Sequence, residues 1–380
     1  MGAQTAGVGQ RRRSLPVPVR GVAVLLLLYL FLVGVKLLEN GIEGLGSNFT
    51  DALFRGVSNP LAGLFVGILA TVLVQSSSVT TSTIVGLVGT GVLSVQHAVP
   101  MVMGANIGTT VTNTIVSLAH LRRSDEFRQA FTAATMHDFF NLITVAVLLP
   151  VEVSTHAISG LARRITETIA GGVGGGSFNS PIKGAVKWGG DLIQGLFGWV
   201  GHETLAAAVL LIVGVGLIFL TLAFITKNMR VLVASRVEQS LNAALSRRGT
   251  VGMIVGMLVT MAVQSSSITT SILIPLCASG ILLVRNAYPI TLGANVGTTV
   301  TALLAALGTG QIDGLTIAVT HTVFNLLGIL VIYPWKRIRY LPVTIAGYLA
   351  EVAVRRKSVA LGYTFTMFVV IPLAGIVVLR

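Results

Sequence analysis

Hydroxyl and amide side chains gather at two places in this chain, 189 positions apart. Gln75, Ser76, Ser77, Ser78, Thr80 and Thr81 are followed by Asn106, Thr109, Thr110 and Thr112. Gln264, Ser265, Ser266, Ser267, Thr269 and Thr270 are followed in the same order by Asn295, Thr298, Thr299 and Thr301. No Lys, Arg, Asp or Glu occurs between Arg55 and Arg122 or from Gly249 to Val284, and Arg285 alone intervenes before Asp313. Neutral polar groups in such apolar surroundings are costly unless satisfied, so two matched clusters read as one shared site. Serines that open a helix cap its free N–H groups, and that end of the helix dipole favours an anion. Two such ends facing each other would hold an anion with no basic side chain to neutralise it. Oxygen ligands from Ser, Thr, Asn, Gln and backbone carbonyls suit a hard cation such as sodium. Coupling of a cation to an anion then follows from electrostatics.

Asp138 is the only acid inside a strongly apolar predicted helix, which makes it a functional candidate in its own right. His137 and Asn141, four residues apart, share a helix face, and Asp138 lies beside it. His321 and Asn325 repeat that spacing without the carboxylate. The two histidines read as satisfied structural residues; with 184 positions between them and no Cys or clustered acids, they make no zinc site. Small residues in membrane helices commonly serve close packing, but duplication of QSSS and GAN-x-GTT in order and in register argues for more. An intramembrane serine hydrolase is the remote alternative: there is no G-x-S-x-G elbow, and an enzyme gains nothing from a duplicated nucleophile. No cofactor is expected beyond a coupling ion.

The elements that must position these residues are helices in lipid. Of 380 residues, 53% are hydrophobic and 10% charged, against about a quarter charged in a soluble domain. Stretches at or near the ~20 apolar residues that cross a bilayer fall at Gly21–Leu38, Ala98–Ala119, Gln129–Pro150, Thr204–Thr226, Ala287–Leu307, Leu315–Pro334 and Ser358–Leu379. The predicted class is an all-α polytopic membrane protein, since a β-barrel would show short alternating strands. A net charge of +13 does not indicate nucleic acid. The basic residues cluster at the ends of apolar runs, as in Arg11–Arg13, Arg122/Arg123/Arg128, Lys227/Arg230/Arg236, Lys336/Arg337/Arg339 and Arg355–Lys357, the positive-inside pattern. The lone cysteine, Cys277, allows no intrachain disulfide. The N-terminal apolar run is too long for a signal peptide and lacks a small-residue cleavage site, so it reads as a first membrane helix.

Gln75–Thr112 and Gln264–Thr301 align without a gap, with 21 of 38 positions identical. Pro60–Val74 and Gly249–Val263, before each QSSS, are 15 residues each, about 22 Å of helix and too short for a ~30 Å core. Each is expected to be one arm of a re-entrant hairpin with QSSS at its tip, a geometry tolerated where it lines a cavity. Three crossings per half make the two repeats inverted in topology. The expected organisation is a cytoplasmic basic N-terminus (1–20), repeat one (21–150), an external connector loop rich in Gly and Ser at Gly171–Ser177 (151–202), repeat two (203–335), and a basic linker with a final membrane helix (336–380). The N-terminus is expected in the cytoplasm of a cell with the protein in its inner membrane.

Together QSSS, GAN-x-GTT, HDFFN with its following LLP, and HTVFN with its following GIL and YP resemble the type II sodium–phosphate cotransporter family. The resemblance covers about residues 60–150 and 204–380. It implies a sodium-coupled symporter importing inorganic phosphate, bound between two opposed hairpin tips. By the same resemblance phosphate falls to Ser76, Ser77, Ser78, Ser265, Ser266 and Ser267. Sodium falls to Gln75, Asn106, Thr109, Asp138, Asn141, Gln264, Asn295, Thr298 and Asn325. An aspartate at the Asp138 position accompanies electrogenic transport in that family. Another oxyanion or a carboxylate as substrate is the alternative reading.

Overall fold

The computed structural model describes residues 16–46, 57–170, 183–197, 199–245 and 249–379. The expectations for Arg11–Arg13, Gly171–Ser177 and Arg247/Arg248 lie outside these residues. Among them the regular elements are all helical: α1 (Val17–Leu45), α2 (Pro60–Val74), α3 (Ser77–Gly89), α4 (Val95–Thr109), α5 (Val111–Leu118), α6 (Ser124–Thr155), α7 (Ala157–Ile169), α8 (Lys183–Gly195), α9 (Glu203–Leu245), α10 (Gly249–Val263), α11 (Ser266–Ala278), α12 (Val284–Thr309), α13 (Ile312–Ile332), α14 (Leu341–Arg355) and α15 (Lys357–Phe365). A π-helical turn at Thr366–Val370 joins α15 to α16 (Ile371–Leu379). Six helical segments among the described residues are long and apolar enough to cross a membrane: Pro18–Leu45, Ser124–Thr155, Glu203–Met229, Val284–Thr309, Ile312–Ile332 and Lys357–Leu379. The protein is a multi-pass membrane protein.

Three sequence expectations change. The predicted span Ala98–Ala119 is not continuous, because α4 ends and α5 begins around Thr110, whereas its counterpart α12 runs unbroken. At the break the Ile107 carbonyl accepts from both the hydroxyl and the N–H of Thr110. The segment expected as a connector loop carries two helices, α7 and α8. In α7, Ile158, Ala162 and Thr166 are buried at i, i+4 and i+8, and the stripe packs against α13. Its start is capped by the Glu152 carboxylate, which accepts from the N–H groups of Ile158 and Ser159. The basic linker is short and leads into α14, where Pro342, Ala346, Ala350 and Ala353 face inward and the helix packs on α6.

Two matched contacts fix the short helices. α2 crosses α4, and α10 crosses α12, so closely that a Cβ at Gly67, Gly104, Gly256 or Gly293 would run into the backbone of the facing helix. The glycine of each GAN motif therefore has a packing reason. The following helices are held by the opposite half: α3 packs on α12 and α13, and α11 packs on α6 and α5. This exchange brings both QSSS segments to the interface between halves.

Candidate functional site

The chain turns between α2 and α3 at Gln75 and between α10 and α11 at Gln264, both left-handed, with φ of 56° and 59°. Such a backbone costs a non-glycine residue about 1–2 kcal/mol, and the side chain supplies compensation. Gln75 Nε2 donates to the Val72 carbonyl and Gln264 Nε2 to the Met261 carbonyl, each at 2.6 Å, closing the ends of α2 and α10. Their Oε1 atoms accept from Thr112 (3.2 Å) and Thr301 (2.8 Å) in turn. Each glutamine is thus the joint of its turn, tied to the GTT-x-T segment of its own half.

The six serines separate by role. Ser76 and Ser265 are N-caps, their hydroxyls accepting from the N–H of Val79 and Ile268, each worth ~1 kcal/mol. Ser78 Oγ reaches the Gln264 carbonyl at 3.5 Å, so the two turns touch. The hydroxyls of Ser77, Ser266 and Ser267 form no hydrogen bond among the described residues, although Ser77 and Ser266 are 5% and 3% exposed. They stand at the first turns of α3 and α11, beside free backbone N–H groups.

The asparagines and histidines form two crossed clamps. His137 Nε2 lies 2.8 Å from Asn295 Oδ1, and Asn295 Nδ2 donates to Asn141 Oδ1 at 2.8 Å. His321 Nε2 lies 3.1 Å from Asn106 Oδ1, and Asn106 Nδ2 donates to Asn325 Oδ1 at 3.3 Å. The amide oxygen accepts, so each histidine carries its proton on Nε2. Each half's H-x-x-x-N pair therefore grips the other half's GAN asparagine. All six side chains are buried. Of the expected sodium ligands, Asn106, Asn141, Asn295 and Asn325 are brought together here with their amides engaged. Thr109 and Thr298 donate back to Ala105 and Ala294 of their own helices.

Asp138 lies apart from the clamps in its bonding. It is fully buried; Oδ2 accepts from Tyr363 at 3.0 Å and from Thr114 at 3.4 Å, with Thr110 beside the same carboxylate. Oδ1 has no hydrogen-bond partner, and no Lys, Arg or His pairs with the carboxylate among the described residues. Sequence reasoning missed Tyr363 and Thr114, and also Asn113, whose Oδ1 accepts from Thr270 (2.9 Å) and Ser271 (3.2 Å) of α11. Asn113 corresponds to Ala302 in the second half, so comparison of the repeats could not flag it.

The matched surfaces beside the two turns differ in the space they leave. A cleft of about 610 Å³ runs between α5 and α11, lined by Thr112, Val116, Ser267, Ser271 and Pro275 among others. The counterparts Thr301, Ala305, Ser78 and Ser82 are all buried. α5 and α11, which border the cleft, are followed in sequence by Arg122 and Arg123 and by Arg285.

Fold and site together define a polytopic helical membrane protein with a duplicated, neutral polar centre between its halves. The description Na+/Pi-cotransporter belongs to the family model that matches residues 30–169 and 217–370. The chain belongs to this family. It is 34% identical to the sodium-dependent phosphate transport protein 2A of Mus musculus, over 92% of this chain and 66% of the relative. It is 31% identical to the sodium-dependent phosphate transport protein 2B of Homo sapiens, over 93% of this chain and 64% of the relative. The chain thus spans slightly less than two thirds of the length of these curated relatives. No solved structure matches it significantly.

Proposed function

We propose that the protein is a sodium-coupled symporter that imports inorganic phosphate, electrogenically, across the inner membrane of its cell. The observation that carries the reading is the set of unbonded hydroxyls of Ser77, Ser266 and Ser267 at two touching turns. Hydroxyl and N–H donors converge there, with no basic side chain in the flanking sequence. A phosphate bound by neutral donors in a low dielectric needs a cation from solution. The family membership and the names of the relatives support sodium and phosphate as the pair. In this reading the two helix pairs are re-entrant hairpins in inverted repeats. The basic ends, including the N-terminal one, then lie in the cytoplasm, and the open cleft makes this a cytoplasm-facing state.

Sodium is assigned to Asp138 through its unpartnered Oδ1. Gln75, Gln264, Thr109, Thr298 and the clamp asparagines remain candidate ligands whose oxygens become available once their present bonds open. In proteoliposomes, an inward sodium gradient is expected to drive phosphate above equilibrium, while potassium gives only background uptake. Equal uptake in potassium, or sodium-driven uptake that never exceeds equilibrium, would overturn the proposal.

The two turns should also contribute comparably. Ser77→Ala and Ser266→Ala are each expected to weaken apparent phosphate affinity about ten- to a hundredfold, the equivalent of one charge-assisted hydrogen bond of ~1.5–3 kcal/mol. Both hydroxyls lack structural bonds, so thermal stability should hold. Unchanged affinity in either variant would place its turn away from the substrate.

A further inference from the structure

The helix that lies beyond the two repeats touches the buried carboxylate. Tyr363 of α15 donates to Asp138 Oδ2 at 3.0 Å, across 225 positions of sequence. Its ring is fixed by three others: Phe131 edge-on at 6.3 Å, Phe139 tilted at 6.1 Å, and Phe368 edge-on at 6.5 Å. Phe131 and Phe139 belong to α6, the helix of Asp138, so Tyr363 is wedged onto that helix through aromatic geometry that restrains the hydroxyl. Directly after it the helix widens into the π-turn Thr366–Val370. A π-turn shifts the following residues by about one position relative to an α-helix. Beyond it, α16 meets α2 where Gly375 faces the Phe65 ring. The turn lets one helix serve two surfaces, Tyr363 on α6 and Gly375 on α2, and such turns recur at functional positions.

Oδ2 therefore carries two hydroxyl donors, from Tyr363 and Thr114, while Oδ1 is buried with none. We propose that Tyr363 is a positioning and specificity-determining residue of the Asp138 cation site, holding one carboxylate oxygen so that the other is presented singly to the coupling ion. The proposal rests on the reading of Asp138 as a sodium ligand given above. A carboxylate pinned by a fixed donor offers monodentate coordination, the mode that suits a small hard cation among neutral oxygens. Without the hydroxyl both oxygens turn toward the site, and the orientation set by α15 is lost. The final helix thereby becomes part of a cation site found in the first half alone, since Thr322 stands where Asp138 has its counterpart.

The test is sodium dependence of phosphate uptake in proteoliposomes for wild type, Tyr363→Phe, Asp138→Gly and the double variant. Tyr363→Phe is expected to lower apparent sodium affinity about tenfold while apparent phosphate affinity at saturating sodium stays within about twofold, and in the Asp138→Gly background it should add nothing. As a second measurement, 3-fluorotyrosine placed at position 363 retains the hydroxyl and the ring packing. Its fluorine resonance should shift on sodium addition in the wild type and stay put in Asp138→Gly. Sodium affinity unchanged in Tyr363→Phe, an equal loss in the Asp138→Gly background, or a resonance indifferent to sodium would each overturn the proposal. Wild-type uptake without sodium dependence is a separate outcome, which removes the transport reading itself.

Discussion

Asn295→Leu and Asn106→Leu are each expected to reduce uptake at least tenfold and to lower thermal stability markedly, even in saturating sodium. Leucine has the same branched heavy-atom skeleton as asparagine but can neither accept nor donate. In Asn295→Leu the Nε2–H of His137 and the Oδ1 of Asn141 lose their partners inside the protein. Asn106→Leu does the same to His321 and Asn325. Each buried polar group left unsatisfied costs about 1–3 kcal/mol, so either substitution costs roughly 2–6 kcal/mol against a total stability of order 5–15 kcal/mol. Melting curves of the detergent-purified variants, with and without sodium, provide the measurement. A clamp predicts the loss in both conditions, and a double-mutant cycle of His137→Ala with Asn295→Ala should show strong coupling. If these asparagines act only as sodium ligands, the variants would match wild-type stability without sodium and lose only the sodium-induced rise.

The clamps show what kind of site information a sequence carries. GAN, H-x-x-x-N and QSSS were visible because each occurs twice in register, and the duplication marked their asparagines and serines as belonging to one centre. It could not say that Asn106 faces His321 while Asn295 faces His137, since crossing partners between halves is a property of packing. Nor could it separate Ser76 and Ser265, spent as helix caps, from Ser77 and Ser266, whose hydroxyls are free. Residues without a counterpart stayed hidden. Asn113 is matched by Ala302, and Tyr363 lies beyond both repeats. The break at Thr110 is the opposite case: Thr299 sits in the same GTT sequence, yet α12 is continuous there. Two nearly identical segments do not reveal which of them bends. The amphipathic helices α7 and α14 escaped because short polar–apolar mixtures flanking membrane spans read as connectors, while their buried stripes become evident only against α13 and α6.

Asp138→Gly is expected to keep sodium-dependent phosphate uptake but to lose its response to membrane potential. At the H-x-x-x-N motifs the halves differ in charge, with Asp138 in the first against Thr322 in the second. The carboxylate is fully buried, bonded by hydroxyls on one oxygen only and unpaired with any basic side chain among the described residues. An ionised carboxylate so placed is costly without a partner, and the partner proposed above, a transported sodium ion, leaves no permanent positive charge behind. The serine turns and the clamps contain no charge of their own, so phosphate binding survives the substitution. If Asp138 holds a transported sodium ion as proposed, removing it removes one coupled cation per cycle. Each elementary charge moved across 100 mV contributes about 2.3 kcal/mol, roughly a fiftyfold difference in attainable concentration ratio. Glycine within α6 adds a helix cost of ~1 kcal/mol, which affects stability and not voltage dependence. Proteoliposomes clamped with a potassium–valinomycin potential, wild type beside variant, separate the two effects. Wild-type uptake should rise with an inside-negative potential while that of Asp138→Gly stays flat. A variant whose uptake still follows the potential would leave Asp138 as a structural carboxylate bound to Tyr363 and Thr114.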